Sequence, residues 1–249
     1  FVPTMGGIHQ GHISLIRKSQ KSCKKTIVSI FINPTQFNSK TDYEKYPKNI
    51  SRDINILKRI KVDYLFVPKI EEIYKKKNKK IRLYKKDKIL CAKFRKGHFE
   101  GVLNVMNRLM NIIRAKRIFM GEKDFQQLFL IKKYLSKKFR MTIINCPTIR
   151  DKGKVALSTR NKLLNKENYK KASLIANYFI SLKNNLNINN KNLSFILKKN
   201  IKKLENFYKI KVDYLEFRNE KDLTFAKPNK KYRLFIAYSI GNVRLIDNF

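Results

Sequence analysis

The 249 residues include 58 Lys and Arg but 18 Asp and Glu, a formal net charge of +40, and 43% of the chain is hydrophobic. This apolar content suffices for a core in one large or two ordinary domains, while three cysteines without a C-x-x-C motif exclude a disulfide scaffold and favour a reducing, cytoplasmic setting. No apolar run reaches about 18 residues and no signal-peptide pattern is present, so we expect neither a membrane partner nor export.

The most informative segment lies near the start, where residues 4–12 read Thr-Met-Gly-Gly-Ile-His-Gln-Gly-His. Residues 1–3 are typical of the end of a strand, and Ile13 and Ile16 begin an amphipathic helix, so a glycine-rich turn joins strand to helix. Free backbone N–H groups and the helix dipole favour a phosphate at such a turn, and imidazoles can donate further hydrogen bonds to it. A tight turn before a capped helix is the plain alternative, and a zinc site lacks a suitably spaced third ligand.

A second polar segment follows a buried strand. Residues 26–32 form a nearly continuous apolar run, typical of a parallel strand, and Asn33 and Gln36 come shortly after it. Polar side chains past the carboxyl end of such a strand lie where open α/β sheets bind ligands, although a proline turn with solvated amides gives the same pattern. Apolar spacing then predicts a helix near residues 50–60 and a strand at 63–68.

A Lys-rich stretch, residues 75–88, is predicted to be an exposed loop or edge hairpin. Beyond it, residues 99–113 have the apolar spacing of a one-faced helix. That helix begins just after His98, the third of the chain's three histidines, which lies in another glycine-flanked segment.

Glycine and polar residues follow the next strand, residues 117–120, in the same way. Within residues 121–127, Lys123 is placed to neutralise a phosphate, Asp124 to cap the next helix or hold a ribose hydroxyl, and Gln127 to face the same crevice. A capped surface helix needs none of these roles, so the segment alone leaves both interpretations open.

The last strand of this series, residues 141–146, precedes a loop that contains Ser158, Thr159 and Arg160. Hydroxyls beside an arginine suit a clamp on a triphosphate. Capping of a helix start explains the hydroxyls equally well.

The pattern then changes. Two helices, near residues 165–183 and 191–207, precede several strand-like segments. Alternating strands and helices followed by separate helices and strands predict an α/β chain with a Rossmann-like parallel-sheet domain, residues 1–148, and a smaller α+β domain, residues 149–249.

Taken together, these ordered motifs resemble the pantothenate synthetase (pantoate-beta-alanine ligase) family of His-x-Gly-His nucleotidylyltransferases. The resemblance runs from Phe1 to residue 248, and family members usually carry a further N-terminal segment, so we expect one before Phe1. The motifs that carry it are residues 3–6, the loop with His9 and His12, and residues 31–37, 97–102, 121–127 and 157–161.

The resemblance implies an ATP-dependent condensation of pantoate with beta-alanine through pantoyl adenylate, with release of AMP and pyrophosphate. Mg²⁺ accompanies the ATP, and the family is usually homodimeric. By the same resemblance His12 is the catalytic imidazole, and His9 and Lys123 act on the phosphates.

The substrate-binding residues that the resemblance implies are Gln36 and Gln127, with Asn33 close by. The ATP-binding residues that it implies are Met5, Gly6, Gly7, Ile8, His9, Gln10, Gly11, His12, Gly121, Glu122, Lys123, Asp124, Ile149, Leu157, Ser158, Thr159 and Arg160. No metal ligands are implied in the protein itself.

Two other functions remain open from the sequence. A related nucleotidylyltransferase or tRNA-synthetase-like protein would use the same loop for another acid, but no Lys-Met-Ser-Lys-Ser loop is recognisable. The +40 charge is typical of a nucleic-acid binder. However, the lysines are spread along the whole chain, so we expect loose RNA association at low salt and no specific nucleic-acid partner.

Overall fold

The computed structural model describes residues 1–75, 80–186, 188 and 192–249. They form two compact units, Phe1–Ile149 and Arg150–Phe249, so the division falls one residue beyond the expected position. Short 3-10 turns in the first unit lie at Pro34–Gln36, Lys85–Asp87 and Glu122–Asp124. Its strands and helices are, in chain order, β1 (Val2–Thr4), α1 (Gln10–Ser22), β2 (Ile27–Ile30), α2 (Lys40–Glu44), α3 (Ile50–Arg59), β3 (Tyr64–Phe66), α4 (Ile70–Tyr74), α5 (Cys91–Phe94), α6 (His98–Ile113), β4 (Arg117–Gly121), α7 (Phe125–Phe139) and β5 (Thr142–Cys146).

All strand pairs of the first unit are parallel within the described residues. β1 pairs with β2 and β2 with β3, while β4 pairs with β5. The backbone N–H of Phe119 donates to the carbonyl of Phe1 over 2.9 Å, which places β4 beside β1. Chain order therefore reverses between β1 and β4, and open α/β sheets bind ligands at the carboxyl ends of strands on either side of such a reversal.

The helices cover this sheet because their apolar residues recur at helical spacing. On α1, Leu15 and Ile16 are buried, and they pack in one cluster with Val28 and Phe119 of the strands. Burial of side chains of this size stabilises the fold by roughly 1.5–3 kcal/mol each. The predicted amphipathic helices thus supply the contacts that hold the loops at the strand ends.

The second unit consists of helices packed on an antiparallel sheet. It contains α8 (Lys166–Asn185), α9 (Leu193–Tyr208), β6 (Lys211–Asn219), β7 (Tyr232–Ile240) and β8 (Val243–Asn248), with a 3-10 turn at Thr159–Leu163. Residue 191, where the second helix was predicted to begin, lies outside the described residues. Among those described, every helix is too short or too polar to span a bilayer.

The Lys-rich connection differs from the prediction. Residues 76–79 lie outside the described residues, and the remainder contains the 3-10 turn Lys85–Asp87 rather than a hairpin. Leu83 and Asp87 are buried, so the prediction of an exposed stretch is wrong at both. Lys133 Nζ lies 2.5 Å from an oxygen of Asp87, and the Tyr134 hydroxyl donates to the other over 2.6 Å. A buried carboxylate needs such partners, and they come from a distant helix.

Gly101 on α6 gives a test of the packing beside the 3-10 turn at Pro34–Gln36. A Cβ at this position would lie 2.9 Å from Gln36 Cα and closer still to the carbonyl of Thr35. Although Gly→Ala usually favours a helix by about 1 kcal/mol, we expect Gly101→Ala to lower the free energy of unfolding by about 1–3 kcal/mol through overpacking. Thermal and urea unfolding measure the change. Asn111→Ala, at an exposed position of the same helix, is the control, and a stabilised Gly101→Ala would contradict this packing.

Candidate active site

Three of the predicted segments start at neighbouring strand ends. The histidine loop follows β1, the turn with Gln36 follows β2, and the segment 121–124 begins at the last residue of β4. Gln36 Nε2 lies 2.7 Å from the sulfur of Met5, which connects the first two segments. Leu15 of α1 reaches to 4.0 Å from a Cβ built on Gly121, which connects the first and third. The parallel sheet therefore gathers residues that are far apart in the sequence.

A buried carboxylate shapes the histidine loop. Asp53 of α3 is 1% exposed, and its two oxygens accept from the backbone N–H groups of Gly7, at 2.7 Å, and Ile8, at 2.9 Å. Gly6 adopts a φ of +79°, and a Cβ there would lie 2.9 Å from the Asp53 carboxylate. Only glycine combines this conformation with so close an approach. Asp53 thus fixes the backbone that leads into α1.

His9 caps the first turn of α1. Its Nδ1 accepts from the backbone N–H of Gly11 over 3.1 Å, so a neutral His9 carries its proton on Nε2. The expectation that the backbone N–H groups of this loop are free for a phosphate is therefore wrong for Gly7, Ile8 and Gly11. The predicted anion site depends more on the imidazoles than on these amides.

His12 lies against His9, with ring centroids 4.1 Å apart and ring planes at 34°. Burial, followed by the neighbouring His9, lowers the pKa of His12 to about 3. Lys123 lowers this pKa further and Asp124 raises it, so both act electrostatically on the ring. Among the described residues His12 Nδ1 is buried without a hydrogen-bond partner. The site therefore contains a neutral imidazole with one polar atom unsatisfied.

Residues 121–124 present charge beside the histidines. Lys123 Nζ lies 3.4 Å from a carboxylate oxygen of Asp124, and Glu122 accepts from the Asn145 side chain over 3.3 Å. Asp124 occupies the N-cap position of α7 without a side-chain capping bond. Of the two roles considered for Asp124, helix capping is thus not the one observed. Gln127, in the first turn of α7, is partly exposed.

Asn33 orients Gln36. The Asn33 amide nitrogen donates to Gln36 Oε1 over 3.2 Å and to the carbonyl of Gly101 over 3.2 Å. Its oxygen accepts from the Tyr74 hydroxyl at 2.7 Å and from the Thr35 hydroxyl at 3.0 Å. Because the Gln36 oxygen is engaged, its Nε2 group is directed to the Met5 sulfur, which is a weak acceptor.

Asp53 and Tyr74 were not among the residues predicted from the sequence. Asp53 did leave a signal, because it lies three residues after Ile50 and four before Leu57 and so shares a helix face with the apolar positions. An acid on such a face needs a buried partner. Tyr74 ends a short helix before the Lys-rich stretch and gave no signal of its own.

The remaining predicted residues are placed by local contacts. Ile149 lies in the first unit and lines a groove of about 520 Å³, together with Gln10, Ile13, Ser14, Arg17 and Ile60. In the second unit Ser158 Oγ accepts from the backbone N–H of Arg160 over 3.2 Å, and Thr159 is 4% exposed. The Ser158 hydroxyl therefore caps the 3-10 turn at Thr159–Leu163. Leu157 is the residue directly before Ser158.

Comparison with known sequences shows which protein family the chain resembles. A family profile described as pantoate-beta-alanine ligase matches residues 1–249. A pantothenate synthetase of Pseudothermotoga lettingae is 40% identical, with 100% of this chain and 89% of the relative covered. Another, from Endomicrobium trichonymphae, is 42% identical, with 99% and 88% covered.

Solved structures agree with the sequences. Pantothenate synthetase from Thermus thermophilus superposes with a TM-score of 0.89 at 29% identity, covering 100% of this chain and 91% of that one. Pantoate-beta-alanine ligase from Francisella tularensis, described as complexed with beta-gamma ATP and beta-alanine, gives a TM-score of 0.83 at 38% identity, with 100% and 88% covered. The α/β fold class and the resemblance are confirmed, and this chain belongs to the pantoate-beta-alanine ligase family.

Proposed function

We propose that the chain condenses pantoate with beta-alanine in two steps that consume ATP. A carboxylate oxygen of pantoate attacks the α-phosphorus, and the bond to pyrophosphate breaks. The amine of beta-alanine then attacks the carbonyl carbon of pantoyl adenylate, AMP leaves, and the amine proton is lost to solvent. The observation that carries this proposal is the half-buried His12, whose buried Nδ1 has no protein partner, beside His9 and Lys123 at the reversal of strand order.

The His12 ring is suited to forming hydrogen bonds rather than to supplying positive charge. A neutral imidazole carries one N–H and one acceptor nitrogen. Because Nδ1 has no protein partner, no hydrogen bond to it fixes the tautomer, and the ring can offer its N–H to a ligand oxygen. Charge builds up on the phosphate oxygens as the carboxylate attacks, so donors already in place bind the transition state more strongly than the ground state. Positive charge comes from Lys123. Neither step needs a side chain as nucleophile.

Gln36 and Gln127 are proposed to hold pantoate. The Gln36 amide presents N–H groups, because its oxygen is engaged by Asn33. Its present contact, the Met5 sulfur, is a weak acceptor that a substrate carboxylate or hydroxyl oxygen replaces favourably. Asn33 is 1% exposed, so it acts here through Gln36.

ATP is proposed to enter as its Mg²⁺ complex. Among the described residues no cluster of three or more His, Cys, Asp or Glu is placed to enclose a metal ion. Mg²⁺ in nucleotide sites is held largely by substrate phosphates and water with one or two carboxylates. Asp124, beside Lys123, is the carboxylate proposed to face it or the ribose. Leu157, Ser158, Thr159 and Arg160 are proposed to contact the triphosphate, on the resemblance to the family.

The cellular compartment and the oligomeric state are also proposed. The three cysteines are free thiols, which agrees with a cytoplasmic enzyme. The homodimer is proposed from the family resemblance, and sedimentation of the purified chain tests it.

Isotope transfer tests the reaction. With Mg²⁺, ATP and pantoate labelled with ¹⁸O in its carboxylate, the protein is expected to release pyrophosphate without beta-alanine. Adding beta-alanine is expected to give pantothenate and AMP carrying one ¹⁸O, because the attacking oxygen stays on phosphorus. Another hydroxy acid and no acid are the controls. Equal pyrophosphate release with the other acid would favour a different nucleotidylyltransferase, and none with pantoate would refute the proposal.

His12→Ala is expected to lower turnover by about 10²-fold or more, the range seen when a transition-state donor is lost. The melting temperature is expected to change little, since the variant removes a polar atom that has no partner in the fold. Pyrophosphate release and thermal unfolding measure the two effects. Lys21→Ala, an exposed residue in the last turn of the same helix, is the matched control. Adenylate formation at the wild-type rate in His12→Ala would remove this residue from the mechanism.

The protonation of His12 can be followed by NMR. Because its pKa is about 3 in the fold, against 6.5 for an unperturbed imidazole, its ring signals are expected to stay constant from pH 8 to about pH 5. The unfolded chain takes up a proton near pH 6.5 and the folded chain does not, so stability from this group is lost as pH falls below 6.5 toward 3. The spectrum of His12→Gln assigns the signals. A midpoint near 6.5 would contradict the burial of this ring.

Asp53→Asn tests the shape of the histidine loop. The new amide keeps one acceptor but turns an NH₂ group toward a backbone N–H of Gly7 or Ile8, so one buried donor loses its partner. We expect the KM for ATP to rise about tenfold and the melting temperature to fall, with a smaller effect on the KM for pantoate. Glu71→Gln removes an exposed carboxylate and serves as the charge-matched control. Equal changes in both KM values would indicate general damage instead.

A further inference from the structure

The third histidine lies outside the pair that faces the nucleotide, and its bonds lead to Gln36. His98 is the first residue of α6 and is buried. Its Nδ1 lies 2.7 Å from the backbone carbonyl of Gln36. Arg95 Nη1 lies 2.9 Å from its Nε2, and Arg95 Nη2 lies 3.4 Å from the same Gln36 carbonyl.

These contacts fix which ring nitrogen carries the proton. A carbonyl oxygen only accepts and a guanidinium only donates, so His98 Nδ1 is the donor to Gln36 and Nε2 the acceptor from Arg95. The ring is therefore neutral and held in one tautomer. Arg95 is itself fixed by its Nε, which donates to Asn38 Oδ1 over 3.1 Å.

The backbone that His98 holds carries the substrate amide proposed above. Gly101, one turn further along α6, lets this helix approach the carbonyl of Thr35. Asn33 bonds the Gln36 side chain from one direction while His98 bonds its main chain from another. Gln36 is thus held at its backbone carbonyl and at its side-chain amide oxygen, so the N–H groups of the side chain keep a fixed direction.

We propose that His98 is a positioning residue for the acid substrate: its Nδ1–H holds the Gln36 carbonyl, and Arg95 sets the tautomer that makes this bond possible. The proposal rests on the role of Gln36 in binding pantoate, but it adds a residue that acts only through Gln36. Preorganised binding groups lose less freedom when a ligand arrives, so the loss of this bond weakens substrate binding as well as the fold.

Paired substitutions test the proposal. An Asn side-chain nitrogen is as many bonds from Cβ as His Nδ1, whereas a Gln nitrogen matches Nε2. His98→Asn is therefore expected to keep a KM for pantoate within about twofold of wild type, and His98→Gln and His98→Ala to raise it about tenfold, the loss of one buried hydrogen bond. The KM for ATP is expected to change less than about twofold in all three. Val105→Ala, a core truncation on the same helix, is the control for simple destabilisation.

A double-mutant cycle with Gln36→Ala decides whether His98 acts through Gln36. In the Gln36→Ala background, His98→Ala is expected to add little further change in the KM for pantoate. Full additivity, an unchanged KM in His98→Ala, or the same KM change in Val105→Ala would overturn the proposal.

A readout that does not depend on activity separates this proposal from the proposed function. The side-chain amide signals of Gln36, assigned with Gln36→Ala, are expected to shift in His98→Ala and to return in His98→Asn. If wild type releases no pyrophosphate with pantoate but these signals behave as expected, the reaction is wrong and the positioning role stands. Signals that do not respond to His98→Ala would refute the positioning role.

Discussion

The bond between the Asp53 carboxylate and the backbone of the histidine loop is the contact on which the site depends. Two peptide N–H groups, from Gly7 and Ile8, donate to one buried carboxylate. Charge-assisted hydrogen bonds of this kind are about twice as strong as neutral ones, and a buried carboxylate without them is very unfavourable. The loop is therefore closed by the protein's own anion before any nucleotide arrives. The turn is thus preformed, and the backbone N–H groups of Gly7 and Ile8 are already engaged.

This arrangement explains why two imidazoles occur together. His9 uses its Nδ1 to cap α1. His12 is kept neutral by burial and by its neighbour. In a chain with a formal charge of +40, further positive charge at the loop would add electrostatic repulsion within the protein and would not orient a ligand. In the proposed reaction the neutral His12 ring supplies a directed hydrogen bond and Lys123 supplies the positive charge.

The scarcity of acids gives each buried carboxylate a visible structural task. Asp53 closes the histidine loop, and Asp87 bonds Lys133 and Tyr134. The half-buried Asp247 likewise pairs with Arg150 through two bonds of 2.7 and 2.8 Å. Lysines are dispersed over the surface instead. The charge of the chain thus reflects its exposed residues, while the buried polar contacts follow the local need for partners. Such a distribution gives the whole surface a positive potential, which attracts anions in general.

The sequence by itself determined the parallel sheet, the main helices, the α+β character of the second unit and the segments at the strand ends, because apolar periodicity and glycine-rich turns are local properties of the chain. It also identified the histidine pair and the family. Only the tertiary structure decided which groups meet. Asp53 reaches a loop more than forty residues away, Tyr74 bonds Asn33, and His98 bonds the Gln36 carbonyl across 62 positions. Such pairs follow from how helices pack on the sheet, and a hydrogen bond between distant residues leaves no periodic trace in the sequence of either one.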